Sequence, residues 1–98
     1  MITLKEFVAT YLLLRELNRA KKKFPGWPDD PIHAAAVLAE ESGEVVKAAL
    51  QYSYENGNIE DIIKEAVQVG AMAIRMIEGH KSYLKIKSSG VLIQESII

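Results

Sequence analysis

Apolar side chains recur at three- and four-residue steps along most of this chain, and the rhythm breaks twice. The first break is Phe24-Pro25-Gly26-Trp27-Pro28-Asp29-Asp30-Pro31, where three prolines and a glycine in eight residues exclude helix interior. The second is the polar turn Glu55-Asn56-Gly57-Asn58. Three helices follow, over about 3–22, 31–54 and 59–78. In the first, Phe7, Tyr11, Leu14 and Leu17 set the period. Thr3 and Glu6 stand three apart at its start, the spacing of a capping box. Arg19 and Lys21-Lys22-Lys23 crowd its end, where cations complement the helix dipole or meet a phosphate.

The second helix opens on Asp30 and Pro31, an N-cap acid before a first-turn proline. It is small or apolar on nearly every side, from Ala34-Ala35-Ala36 to Ala48-Ala49-Leu50. Such a helix is buried on nearly all sides, and two neighbours cannot enclose it. A homo-oligomer, dimer or tetramer, is therefore expected. Asn58 and Asp61 have the spacing of a second capping box, and Gly79 should end the third helix. The tail, 80–98, alternates weakly over 82–87 and turns apolar from Val91. It reads as a short helix or as an extended arm contacting a neighbouring subunit. The fold class is all-α: one domain, 1–98, an antiparallel helical bundle completed by oligomerisation.

Composition narrows the function classes. Twelve basic and 13 acidic residues give a net charge of −1, so no global field favours nucleic acid or an anionic membrane. The absence of cysteine excludes disulfides and thiolate metal sites. No apolar run reaches the ~20 residues of a membrane span. The opening MITLKEF lacks a signal-peptide pattern, so a cytoplasmic protein is expected.

The chemistry concentrates in Glu40-Glu41-Ser42-Gly43-Glu44, inside the most apolar helix. At about 100° per residue, with Glu40 at zero, Glu44 lies near ~40° and Glu41 near ~100°. Val37, Ala48, Ala34 and Val45 span roughly 60° to 140° on the same wheel. Glu41 thus points along the apolar stripe, with Glu44 on its edge. On the third helix Glu65 shares a face with Met72, Met76, Val69 and Ile62, and Gln68 and Asp61 flank it. A carboxylate on an apolar face costs several kcal/mol unless compensated. The compensation is open between a proton, a cation such as Arg15, Arg19, Arg75 or a lysine, and a divalent metal; a broader polar face would remove the need. Two helices joined by a four-residue turn lie antiparallel, so Glu41 and Glu44 should face Glu65 and Gln68. An all-oxygen set of this kind suits Mg²⁺.

Glu40-Glu41-x-x-Glu44, followed after twenty residues by Glu65-x-x-Gln68, resembles the EExxE…ExxD signature of the MazG-like, all-α nucleoside triphosphate pyrophosphatases. Val37-Leu38-Ala39 before it and Gly43 within it agree, and the resemblance covers about 31–77. It implies hydrolysis of the α–β phosphate bond of a (deoxy)nucleoside triphosphate to monophosphate and pyrophosphate. Mg²⁺, with Mn²⁺ as a substitute, is the implied cofactor, in an oligomer whose subunits share a bundle. Glu41, Glu44, Glu65 and Gln68 take the metal-ligand positions. Glu40 and Glu41 take the catalytic ones, Glu40 as a ligand or as the group that orients the attacking water. Gln68 departs from the family's Asp, removing one negative charge and one proton acceptor. Asp61, one turn earlier, is placed to compensate. Lys22, Lys23 and Arg75 suit the distal phosphates. Trp27, Phe24 and His33 stand where a base can stack. A non-catalytic nucleotide- or metal-binding relative, and a purely structural helical oligomer, are the competing expectations.

Overall fold

The computed structural model describes residues 1–79, 84–87 and 90–93, the last two stretches by their backbone alone. Three helices make up its body: α1 (Leu4–Lys23), α2 (Pro31–Tyr54) and α3 (Ile59–Gly79). These bounds match the periodicity to within a residue. The body is all-α; the tail adds a strand pair, β1 (Leu84–Lys87) and β2 (Gly90–Ile93). Leu84 stands opposite Ile93 and Lys87 opposite Gly90 in an antiparallel ladder. At these positions the tail is a pair of strands bonded to each other, which is neither the short helix nor the extended arm expected. Its reading as an arm on a neighbouring subunit rests on a stretch that lies largely outside the described residues.

Local chemistry sets the helix ends. The Glu6 N–H donates to Thr3 Oγ1 at 3.1 Å and the Thr3 N–H to Glu6 Oε1 at 2.9 Å, a closed capping box. Asp30 Oδ1 accepts from the Ile32 N–H at 3.0 Å, ahead of Pro31. The start of α3 differs from expectation. There the Asp61 N–H donates to the Asn58 main-chain carbonyl at 3.1 Å, and the reciprocal side-chain bonds seen at Thr3 are not among the described contacts. At the end of α2 the Gln51 carbonyl accepts from the N–H groups of both Glu55 and Gly57, at 2.8 and 2.9 Å. Asn56 makes the reversal with φ 58°, a left-handed conformation that asparagine tolerates. Gly57 then passes so close to the helix that a Cβ would stand 2.9 Å from Gln51 C and Tyr52 N, so only glycine fits.

α3 is the middle element. It packs against both α1 and α2, which scarcely touch one another. Ala71 of α3 is wholly enclosed, and Ala34 and Ala48 of α2 and Leu17 and Ala20 of α1 are the other buried apolar residues among those described. A core built mostly of alanine brings helices close but buries little apolar area. At Gly70 a Cβ would collide with the Leu13 side chain, so the missing side chain lets α1 and α3 meet. Large apolar residues remain outside: Phe7, Tyr11 and Leu14 on α1, and Ile32, Val46 and Leu50 on α2. None of the helices is long and apolar enough to cross a membrane.

Candidate functional site

The face of α2 that carries Ala34 and Ala48 also carries Glu41, because the three share one side of the helix at seven-residue steps. Packing that face against α3 half-buries Glu41. Its carboxyl pKa is raised, first by burial, then by the negative charge of Glu65, Glu40, Glu44 and Glu16 in that order. The leading charge, Glu65, stands half-buried on α3, so the acid pair bridges the two helices.

The guanidinium groups that sequence offers as compensation are engaged elsewhere. Arg19 forks onto Glu16 at 2.9 and 2.6 Å, which lowers the Glu16 pKa. Arg15 lies over the Tyr11 ring at 6.0 Å. Arg75 is buried, donates from Nη2 to the carbonyls of Phe24 at 2.8 Å and Gly26 at 3.1 Å, and covers the Trp27 indole at 5.1 Å. Lys21 meets Glu78 at 2.8 Å, joining the C-terminal ends of α1 and α3. Among the described residues no basic side chain forms an ion pair with Glu41.

Glu41 opens into a pocket of about 320 Å³ between the helices and the proline-rich loop. Phe24, Trp27 and Met72 give it an apolar wall, and Gln68, Glu16, Arg19 and Arg75 are its other polar lining. Sequence reading attached no role to Glu16. Its signal was present in the i, i+3, i+4 row Leu13-Glu16-Leu17-Ala20, which puts Glu16 on the α1 face that meets α3. Glu44, Glu65 and Asp61 line a different, more polar depression of about 150 Å³, with Lys47, Lys64 and Gln51. Glu40, His33, Lys22 and Lys23 lie on the exposed surface.

The i, i+3 spacings predict one convergent set; the charges of Glu65, Glu40 and Glu44 do reach Glu41, while the depressions that open beside these acids differ. Glu41 and Gln68 share the aromatic-walled pocket, and Glu44 and Glu65 face the neighbouring depression. Among the described residues no three acidic or histidine side chains gather closely enough to hold a metal ion between them. The donors nevertheless suit Mg²⁺ in kind. All are oxygens, and the carboxylate repulsion that adds to burial in raising the Glu41 pKa is what a nearby dication relieves. A third groove, of about 600 Å³, runs between α1 and α3, with Leu12, Ile63 and Val67 as apolar lining beside Arg15 and Lys64. Gln68 reaches this groove as well as the Glu41 pocket.

The chain matches no family model, no curated protein and no solved structure.

Proposed function

We propose that this chain is a Mg²⁺-dependent nucleotide pyrophosphohydrolase of MazG-like type, cleaving a (deoxy)nucleoside triphosphate between the α and β phosphorus atoms. The observation that carries the reading is Glu41. It is a half-buried carboxylate whose pKa is raised first by burial and then by four other carboxylates, without an ion-pair partner among the described residues, beside an aromatic-walled pocket. A fold that brings acids together at this cost, and commits its nearby guanidinium groups elsewhere, is suited to a ligand that brings positive charge. The EExxE…ExxQ pattern supports the same reading.

Glu41, Glu44 and Glu65 would hold the metal, with the Gln68 amide oxygen as a neutral fourth donor. Bound there, Mg²⁺ supplies charge neutralisation on the phosphate oxygens and the departing pyrophosphate. The remaining roles belong to side chains. Glu40, outside the metal set, accepts a proton from the water whose oxygen bonds to the α-phosphorus. The α-phosphorus–oxygen bond then breaks and its electron pair leaves with pyrophosphate. Lys22 and Lys23, at the end of α1, draw in the polyphosphate. Trp27 and Phe24 offer the base an apolar wall, with His33 at its rim. Arg75 acts on the loop rather than on phosphate, since its Nη2 already serves two loop carbonyls. Asp61 restores the charge that Gln68 lacks, from the Glu65 side.

The test is pyrophosphate release from a panel of ribo- and deoxyribonucleoside triphosphates, with and without Mg²⁺. Absence of release from every substrate, by folded protein, refutes catalysis. A second reading, a nucleotide- or metal-binding protein without turnover, is favoured by Gln68 and by the division of the acids between two depressions. It predicts tight nucleotide binding without hydrolysis, and release appearing in Gln68→Asp.

A further inference from the structure

α1 and α3 meet closely at Leu13 and Gly70, and beside that contact they stand apart. The groove they leave holds about 600 Å³, within the usual size of a small-molecule site. Its floor is aliphatic. Leu12 supplies it from α1; Ile59, Ile63 and Val67, at four-residue steps, supply it from α3. Leu12 and Val67 are half-buried, while Ile59 and Ile63 remain 48 % and 52 % exposed. The α3 row runs over eight residues, roughly 12 Å of helix. Among the described residues no aromatic ring lines the groove, so it suits a flexible chain better than a planar base.

Cations gather over this floor. Arg15 and Arg19 come from α1 and Lys64 from α3. Glu16 stands among them. Its carboxyl is held below the usual range, first by the hydrogen bond from Arg19, against burial, and then by the charges of Arg19, Arg15 and Lys64. Arg15 and Lys64, on different helices, therefore act at the same place. Arg19 is paired with Glu16. Arg15 and Lys64 are exposed and in no ion pair among the described residues, although Lys64 also borders the depression of Glu44 and Glu65. The contact of Arg15 with the Tyr11 ring, at 6.0 Å, is at the limit of cation–π reach. Glu60 is the groove's other acid, so three cations face two carboxylates. An aliphatic floor beneath a surplus of one positive charge matches a ligand with an apolar body and one negative end. A guanidinium fork takes a carboxylate through two nitrogens.

We propose that the groove between α1 and α3 is a binding site for an unbranched fatty carboxylate, its chain on Leu12, Ile59, Ile63 and Val67 and its head between Arg15 and Lys64. The site stands whether or not the chain hydrolyses nucleotides.

The probe is dodecanoate below its micelle concentration, followed by calorimetry and by the methyl spectrum of isoleucine-labelled protein. The Ile59 and Ile63 methyl groups should shift together and saturate. Ile32 and Ile77, exposed elsewhere at 79 % and 56 %, should not move. Affinity should rise about two- to four-fold per methylene from octanoate to dodecanoate, because each CH₂ leaves water. Arg15→Gln and Lys64→Gln should each weaken dodecanoate about ten-fold. Neither should change the binding of dodecanol, which has the chain without the charge. Both variants alter exposed side chains, and an unchanged spectrum before ligand is added shows that they fold. Absence of binding to the wild-type protein overturns the proposal, and is the result expected if a second copy fills the groove. So do shifts at Ile32 and Ile77 equal to those at Ile59 and Ile63, equal affinity for dodecanol and dodecanoate, or full affinity in both variants. Displacement of dodecanoate by inorganic tripolyphosphate also overturns it, and would make the groove part of a polyphosphate site.

Discussion

Arg75 holds the proline-rich loop, and replacing it with methionine measures how firmly. The change keeps most of the length and removes the charge. Two hydrogen bonds from one charged nitrogen are lost, at 2.8 and 3.1 Å, along with a cation–π contact at 5.1 Å. Bonds to charged groups are worth roughly 1.5–3 kcal/mol each. Here one nitrogen is shared, and the freed carbonyls lie in an exposed loop where water can replace it. That places the pair near 2 kcal/mol. The stacking on Trp27 adds about 0.5–1 kcal/mol. The sum, about 2.5–3 kcal/mol, lowers Tm by roughly 10–20 °C in a domain of this size. Trp27 is the sole tryptophan, so its emission follows the loop directly. Urea titration at fixed protein concentration should show a lower midpoint with an unchanged slope. Iodide should quench Trp27 more readily in the folded variant. Arg75→Lys should recover about half the loss, because an ammonium can meet one carbonyl but cannot lie flat on the indole. A methionine variant within about 0.5 kcal/mol of wild type, or a lysine variant equal to it, would falsify the assignment.

Glu41→Gln should raise thermal stability at pH 7. The folded-state pKa of Glu41 lies above its unfolded value, so its ionisation works against the fold. The penalty is absent below the ordinary value of 4.5 and develops as pH climbs through the folded one, so melting curves of variant and parent should converge below about pH 4. Glu16 behaves oppositely. Arg19 lowers its pKa, so Glu16→Gln should destabilise at neutral pH, and the difference should fade in acid. Mg²⁺ should raise the melting temperature of the parent, by up to about 2.7 kcal/mol of stabilisation at a hundred times its Kd, and leave Glu41→Gln unmoved; equal shifts in both proteins count against the metal. Gly57→Ala should cost about 1–3 kcal/mol in urea unfolding, since its methyl group would press on the α2 backbone.

The helices were legible because each boundary carries its own chemistry: a closed box at Thr3, an acid and a proline at Asp30-Pro31, a glycine that no other residue replaces at position 57. Glu41 was legible too, since a helical wheel is enough to put it on the packed face. The division of the acids was not. Whether Glu44 joins Glu41 depends on how far the α2–α3 seam turns between them, and that follows from how the two helices pack in three dimensions around buried alanines such as Ala48 of α2 and Ala71 of α3. A one-dimensional period carries no such information. Nor did sequence place Arg75. Its spacing fits a phosphate contact as well as a loop clasp, and the choice follows from where Phe24 and Gly26 present their carbonyls. At Asn58 the residue types of a cap are present, yet the main chain makes the bond first.

α3 standing between two helices that scarcely meet has a consequence for how the chain comes together. Closing α2 onto α3 spans only the short 55–58 reversal, so the entropic barrier to that hairpin is low and it is the natural nucleus. α1 has no such neighbour in sequence. It must dock across the proline-rich segment onto a surface the hairpin has already made. In native-state hydrogen exchange, α1 is then a separate opening unit, released without loss of the α2–α3 pair.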